Sequence, residues 1–164
     1  MFSYPLLKGC AVIVLIIGVW LIYIKNSILS IDQNLIDHFE DELIEHLYGD
    51  RVESTWIEMS TPNHKKSQQV HFVQTKRFRS SSPDVILIHG YGATSALSWR
   101  NTIVSLHDRG YDILAIDLPG FGRSTADDVL LEASTEEAFD YYCLYFEDIF
   151  SQKNVTNPYV VAHS

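Results

Sequence analysis

Three short apolar runs, each followed at once by polar or turn-forming residues, restrict most strongly how this chain can fold. They are Val85–Ile88, Tyr111–Ile116, which is apolar except for Asp112, and Tyr159–Ala162. Runs of this kind are typical of strands that are buried on both faces of a parallel sheet. Apolar residues at helical spacing fill the segments between them, so the order is strand, helix, strand, helix, strand. The sequence therefore predicts an α/β fold with three parallel strands.

A β-hairpin is predicted ahead of the first run. Residues 52–60 and 69–79 contain short alternating or β-branched stretches, and the segment between them is rich in turn formers. His64 and His71 lie in this region without a partner at metal-ligand spacing, and neither is assigned a function. With the hairpin included, residues 52–164 are expected to form a mixed sheet, antiparallel at its start and parallel afterwards.

Three amphipathic helices are predicted around this sheet. The first spans residues 31–48 and ends near Gly49, with its apolar face at Ile31, Leu35, Ile36, Phe39, Leu43, Ile44 and Leu47. The second lies between the first two parallel strands and stops at Gly110, with Leu97, Ile103, Val104 and Leu106 directed inward. The third opens at Ser134, where Glu137 completes a capping box. Its apolar stripe is expected to be Phe139, Tyr142, Cys143, Phe146, Ile149 and Phe150.

An uncharged apolar segment precedes this body. Residues 9–24 contain no charge and lie between Lys8 and Lys25. With residues 5–8 the segment reaches twenty residues, or about 30 Å as a helix. We interpret it as a single transmembrane anchor. A cleavable signal peptide is the alternative, but its apolar region is shorter, about 7–15 residues, and no convincing small-x-small cleavage site follows Lys25.

Basic residues beside this segment favour an N-terminus on the inner side of the membrane, because Lys8 and the amino group together exceed Lys25. The body would then be lumenal or extracellular, where the glycosylation sequon Asn154–Thr156 could be used, although such sequons also arise by chance. The predicted organisation is a short tail at 1–8, the anchor at 9–24, an amphipathic helix and linker at 25–51, and the sheet domain at 52–164.

The charge balance excludes one class of partner. The chain has 21 acidic and 12 basic residues, and no basic cluster is longer than Lys76–Arg77 with Arg79, so nucleic acid is not an expected partner. Residues 31–48 hold six acids and residues 125–150 hold eight, with no Lys or Arg in either segment. We interpret both segments as solvated helix faces, with a surface for an acid-binding partner as the alternative.

The residues that follow the three parallel strands carry a second pattern. The loops after the first two strands are His89-Gly90-Tyr91-Gly92 and Asp117-Leu118-Pro119-Gly120-Phe121-Gly122-Arg123-Ser124, and the third strand ends in Ala162-His163-Ser164. These segments resemble the H-G-x-G loop, the D-x-P-G-x-G-x-S loop and the entry to the nucleophile elbow of the α/β-hydrolases. The resemblance covers residues 52–164. It implies an α/β-hydrolase sheet, with an antiparallel hairpin and then a parallel β-α-β-α-β unit, truncated at the nucleophile elbow and preceded by one transmembrane helix.

The resemblance implies a role for each loop residue. Ser164 would be the nucleophile, although Ala162 stands where the family usually has glycine. The oxyanion hole would take a backbone N–H from Tyr91, with Gly92 as the alternative. Residues expected to shape the loops, without acting as general base or triad acid, are His89, Gly90, Asp117, Gly120 and Gly122. Arg123 and Ser124 would border the entrance to the site.

Acyl transfer is the reaction that the resemblance implies. Ser164 would attack an ester, thioester or amide carbonyl, while a histidine takes its proton and an acid orients that histidine. In this family both follow the nucleophile in the chain. The sequence is therefore expected to hold the N-terminal part of a membrane-anchored serine hydrolase and to be inactive as it stands. A serine at this position disfavours the epoxide-hydrolase and dehalogenase branches, which need aspartate.

The expected substrate is a carboxyl ester or a lipid, reached by a single-pass protein that is held at the membrane through its N-terminal helix. No metal and no cofactor are expected, and Cys10 and Cys143 are interpreted as packing residues. Three alternatives stay open: a lipid acyltransferase, a secreted esterase, and a non-catalytic membrane-tethered interaction protein on a hydrolase scaffold.

Overall fold

A computed structural model of the chain describes residues 33–59, 68–125, 130 and 133–163. The predicted anchor at 9–24 and the predicted nucleophile Ser164 lie outside these residues. Within the ranges that are described, no helix is both long and apolar enough to cross a membrane. The chain divides between Glu40 and Asp41 into two units, and of the first only the opening half of one helix is described.

Five strands form one mixed sheet in the order β1-β2-β4-β3-β5. In chain order the elements are α1 (Gln33–Tyr48), a 3₁₀ turn (Gly49–Arg51), β1 (Val52–Glu58), β2 (Gln69–Thr75), β3 (Val85–Ile88), α2 (Ser95–Ser98), α3 (Arg100–Asp108), β4 (Ile113–Ile116), α4 (Thr135–Gln152) and β5 (Tyr159–Ala162). β2 runs antiparallel to β1 and β4, whereas β3 runs parallel to β4 and β5. The predicted hairpin and the change from antiparallel to parallel pairing are both confirmed.

Helices cover both faces of the central strands, which explains their uninterrupted apolar sequence. Val85 and Leu87 of β3 pack with the end of α1 and with α2 and α3, whereas Ile86 packs with α4 on the other face. β4 alternates in the same way, because successive side chains of a strand point to opposite faces. Burying one such aliphatic side chain contributes about 1.5–3 kcal/mol to folding.

The helix predicted after β3 is two helices in the structure. α2 ends and α3 begins on either side of Trp99, whose φ of -108° and ψ of 11° interrupt the regular helix. The break shifts the helical phase, and the fully buried positions are Ser95 and Ala96 in α2 and Ile103 in α3. Leu97, which was predicted to point inward, is instead 46% exposed.

The buried face of α4 also differs from the predicted stripe. Tyr141, Tyr145 and Ile149 face the sheet, while Phe139 and Cys143 are exposed. The tyrosines are accepted inside because their hydroxyls have buried partners: Tyr141 donates to the side-chain oxygen of Gln68 and Tyr145 to a backbone carbonyl. The predicted capping box is confirmed, since the Glu137 N–H donates to Oγ of Ser134 and the Ser134 N–H donates to the Glu137 carboxylate.

β5 lies at one edge of the sheet and pairs only with β3 among the described strands. Tyr159 is 73% exposed, and Val160, Val161 and Ala162 are exposed as well. The strand predicted from its apolar composition is therefore present, but its side chains are not buried in this chain. Its carboxyl end lies beside that of β3, since Ala162 is paired with Ile88.

Candidate active site

The loops that follow β3, β4 and β5 lie at the same end of the sheet, because these three strands are parallel and their carboxyl ends are adjacent. The rings of His89 and Tyr91 in the first loop meet Phe121 in the second edge to face, with centroids 5.8 and 5.4 Å apart. After β5, the His163 N–H donates to the Ile88 carbonyl at 3.0 Å, and the His163 ring lies 6.3 Å from that of Trp99. The three motif segments thus converge, and Ser164 is the residue that follows.

Asp117, the first residue after β4, is fully buried beneath these loops, and its carboxylate binds three segments of the chain. Oδ1 accepts the Ser95 N–H at 2.6 Å. Oδ2 accepts Nδ1 of His71 at 2.7 Å and the Arg123 N–H at 3.1 Å. Burial alone would raise the pKa of Asp117, but the hydrogen bond and charge of His71, with the two N–H groups, hold it below its usual range. The carboxylate braces the loops and faces no open space.

Gly122 closes the loop after β4 against this carboxylate. Its φ is +54°, and a Cβ built on it would stand 2.1 Å from Oδ2 of Asp117. No other residue type fits there without displacing the carboxylate, so both the backbone conformation and the close approach require glycine. Gly120, with a φ of 76°, forms the preceding turn of the same loop.

His89 is buried and connects the first two loops through its ring nitrogens. Nε2 accepts the Leu118 N–H at 3.0 Å, so the ring proton is assigned to Nδ1, which donates to the Gly90 carbonyl at 2.7 Å. Nε2 is 3.9 Å from Oδ1 of Asp117, but a nitrogen that accepts a hydrogen bond carries no proton for an ion pair. Both nitrogens are therefore engaged within the loops.

Tyr91 and Gly92 form the exposed part of the first loop. Tyr91 is 94% exposed, and Gly90 before it is buried. Gly92 has a φ of +73°, and a Cβ built on it would meet nothing within 4 Å. The two residues for which an oxyanion-hole N–H is predicted thus lie where a substrate has access, on a loop whose base is fixed by His89.

A network of buried polar side chains connects the hairpin to the loop after β4, and it was not predicted from the sequence. Nε2 of His71, in β2, lies 2.7 Å from Oγ of Ser54 in β1, while its Nδ1 binds Asp117. The Arg123 side chain donates to the same Oγ at 3.1 Å, and its Cζ lies 4.8 Å from the Trp56 ring centroid. The hairpin is in this way bound to the loop after β4.

One signal in the sequence could have identified His71. It stands within the apolar run Val70-His71-Phe72-Val73, where a polar side chain that becomes buried needs hydrogen-bond partners. The identity of the partner was not accessible, because Asp117 lies 46 residues further along the chain. In residues 33–59, 68–125 and 133–163, no three histidine, cysteine or acidic side chains are grouped so that they could hold a metal ion.

Sequence comparison relates the chain to known enzymes. The family model described as alpha/beta hydrolase fold matches residues 83–164, the half of the chain that contains all three loops. Over 100 residues the chain is 33% identical to a probable 1-acylglycerol-3-phosphate O-acyltransferase of Oryza sativa subsp. japonica, an alignment that covers 60% of the chain and 23% of that protein. Over 72 residues it is 38% identical to bifunctional epoxide hydrolase 2 of Sus scrofa, covering 44% of the chain and 12% of that protein.

Solved structures show the same architecture at lower identity. The chain superposes on epoxide hydrolase VrEH1 of Vigna radiata with a TM-score of 0.55 and 22% identity, covering 70% of this chain and 32% of that one. It superposes on a bacterial membrane phospholipase A with a TM-score of 0.57 and 19% identity, covering 92% of this chain and 43% of that one. At these identities the likeness concerns the fold. The chain spans less than a quarter of the length of the two sequence relatives named above.

Proposed function

The chain belongs to the α/β-hydrolase family, and on that premise we propose that it supplies the serine nucleophile of an acyl-transfer enzyme acting on carboxyl esters or lipid acyl groups. The observation that carries the proposal is the convergence of the three motif loops at the carboxyl ends of β3, β4 and β5. Sites in open α/β sheets form at this edge, outside the ends of the parallel strands.

In the proposed reaction, the Ser164 hydroxyl attacks the carbonyl carbon of the substrate while a histidine takes the hydroxyl proton. Negative charge develops on the carbonyl oxygen, which accepts a backbone N–H from the loop of Tyr91 and Gly92. The tetrahedral intermediate then collapses to an acyl-serine while the histidine gives that proton to the departing alcohol. Water or an acceptor alcohol next attacks the acyl-serine, its proton passing through the same histidine to the serine oxygen, which leaves as the free hydroxyl. In this family the acid and the histidine follow the nucleophile in the chain. The activity is therefore proposed for a protein that contains them.

The described residues support this assignment through the position of His163. Its N–H donates to the carbonyl of Ile88, the last residue of β3, and His89 at the next position begins the loop that contains Tyr91 and Gly92. Ser164 is thus one residue away from a point fixed to the start of that loop. The Asp117 and His89 bonds described above hold the two loops in place before substrate arrives, which is how an oxyanion hole stabilises charge without reorganisation.

Transfer of the acyl group to an alcohol is the second candidate, and the relatives favour it. Two plant proteins that match over 100 residues are named as acylglycerol-phosphate acyltransferases, from Oryza sativa subsp. japonica and Arabidopsis thaliana. Hydrolysis and acyl transfer share the acyl-serine and differ in the acceptor. Epoxide hydrolases are also among the relatives, but opening of an epoxide in this family needs an aspartate where this sequence has Ser164.

The test uses protein expressed from the complete gene, with hydrolysis of a p-nitrophenyl ester and labelling by a fluorophosphonate as readouts. Ser164→Ala should abolish labelling and lower turnover by about 10⁴-fold or more, because the nucleophile is lost. Ser98→Ala, at an exposed serine of α2, should leave both unchanged. Labelling that persists in Ser164→Ala would show that another residue is the nucleophile. Absence of turnover and labelling in the native protein would favour the non-catalytic interaction protein.

We also propose that residues 9–24 anchor the protein in a membrane with the sheet domain on the lumenal or outer side, which would bring it close to lipid substrates. The support is the uncharged run itself. Alkaline carbonate should leave the protein in the membrane pellet. A glycosidase should reduce its apparent mass unless Asn154 is replaced by Gln, while Asn157→Gln is the matched control outside the sequon. A mature N-terminus beyond residue 24 would instead indicate a cleaved signal peptide.

A further inference from the structure

A group of basic side chains lies at the end of the sheet opposite the active-site loops. Arg51, Lys76, Arg77 and Arg79, with Asp50, Thr75 and His107, line a cavity of about 480 Å³, referred to below as the basic pocket. Its location follows from Thr75, whose Oγ1 accepts the N–H of Ile113, the first residue of β4. Asp117 and the active-site loop follow the other end of that strand.

The pocket concentrates positive charge in a chain that is otherwise acidic. Four of the 12 lysines and arginines line it, although the chain has a formal net charge of -9. Two carboxylates compensate part of this charge: Asp50 lies 2.9 Å from Nζ of Lys76, and Asp108 lies 3.1 Å from Nε of Arg51. Both pairs are exposed, so they are weak and can exchange for a better anion. In the part of the chain that the structure describes, Arg77 and Arg79 have no ion pair.

Arg79 is held in position by the fold beneath it. The N–H groups of Arg79 and Ser80 donate to Oδ2 of Asp112, at 2.5 and 3.1 Å. This buried carboxylate therefore holds the backbone of the segment that carries Arg79. The Arg79 guanidinium occupies the space beside Gly110, where a Cβ would stand 2.0 Å from Nη1. The two hydrogen bonds fix the backbone of Arg79, so its exposed guanidinium projects from a defined point of the loop.

From these observations we propose that the basic pocket binds a phosphate group. Arginine presents a planar fork of N–H donors that matches two phosphate oxygens, and lysine adds a point charge that tolerates several geometries. The cavity can contain a phosphate monoester with part of the molecule that carries it. The phosphate group comes either from a soluble phosphate compound or from a phospholipid headgroup. Because the basic pocket and the active-site loops lie at opposite ends of β4, this phosphate site is separate from the proposed acyl-transfer site.

The test follows the backbone amide NMR signals of the chain in uncharged detergent micelles, titrated with inorganic phosphate while chloride keeps the ionic strength constant. Signals of residues 76–80 should move and saturate. Arg77→Ala and Arg79→Ala should each weaken binding by about tenfold, since each removes a charge-assisted hydrogen-bond donor. Arg109→Ala is the matched control, because it removes one exposed positive charge nearby that does not line the pocket.

A second titration distinguishes the two sources of phosphate, using micelles that contain phosphatidic acid and comparing them with micelles that contain phosphatidylcholine. Saturable shifts with inorganic phosphate support a soluble phosphate compound, and shifts with phosphatidic acid alone support a lipid headgroup. Shifts that follow only ionic strength, or an equal loss of binding in Arg109→Ala, would overturn the proposal. Unchanged amide spectra of the variants outside residues 76–80 would exclude a loss caused by misfolding.

Discussion

At the scale of single residues, one carboxylate connects segments that are far apart in the chain. Asp117 binds the start of α2 through Ser95, the hairpin through His71 and its own loop through Arg123. Its carbonyl oxygen accepts the hydroxyls of Ser124 and Tyr145 as well. A buried charge is stable only when its hydrogen-bonding capacity is met, and here the partners of the carboxylate come from three segments of the chain.

The carboxylate of Asp117 should make the free energy of unfolding depend on pH in the acidic range. The pKa of Asp117 is held below its usual range in the folded chain, so its contribution is complete above the ordinary pKa and is lost as pH falls through the lower folded value. We expect the free energy of unfolding, measured in urea, to decrease below about pH 4. Asp117→Asn should reduce that slope, and an unchanged slope would contradict the assignment.

Substitutions at two glycines of the candidate site can distinguish how much backbone conformation and how much close contact contribute to the free energy of unfolding. Both Gly92 and Gly122 have positive φ, but only at Gly122 does a Cβ collide with Asp117. Gly92→Ala should cost about 1–2 kcal/mol, the penalty of the left-handed conformation alone. Gly122→Ala should cost more, because the buried carboxylate must also move. Urea unfolding of both variants measures the difference, and equal losses would mean that the loop relaxes without strain.

At the scale of elements, the sequence predicted the features that neighbouring residues determine, and it did not predict those that depend on residues far away in the chain. The strand β3 and the cap at Ser134 follow from neighbouring residues, and both lie where predicted. The buried face of α4 depends on hydrogen-bond partners that other segments supply to its tyrosine hydroxyls, and the spacing of apolar residues within the helix does not reveal such partners. The same is true of His71, whose burial could be inferred from its strand but whose partner could not.

The capping box gives a direct measure of how far α4 depends on its first turn. Ser134→Ala should lower the free energy of unfolding by about 1 kcal/mol, because the Glu137 N–H loses its acceptor. Ser134→Asp keeps an acceptor oxygen at the same position and should preserve most of the stability. Thermal unfolding followed by circular dichroism compares the two variants. An equal loss in both would show that the cap contributes nothing specific.

At the scale of the whole molecule, the exposed strand β5 is the feature with the largest expected effect in solution. Its outer edge presents backbone N–H and C=O groups together with exposed apolar side chains, an arrangement that favours pairing with another chain. We expect the 164-residue chain to self-associate as its concentration rises.

A lysine on this edge should reduce the association, because edge charges oppose strand pairing. Val160→Lys is the variant, and light scattering across a concentration series is the measurement. Leu144→Lys places the same charge on an exposed apolar position of α4 and serves as the control. If both variants reduced association equally, general apolar contact would be the cause, and pairing through β5 would be excluded.

The strand order also governs when the sheet can form during synthesis on the ribosome. The β1–β2 hairpin has all its residues by Thr75, but β3 emerges without a neighbour, since β4 stands between β2 and β3. Val85–Ile88 must therefore wait until Ile116 has left the exit tunnel, and only then can β4 bridge the hairpin and β3. For that interval a fully apolar strand of the sheet domain is exposed, which makes it a segment of the nascent chain that a chaperone can bind.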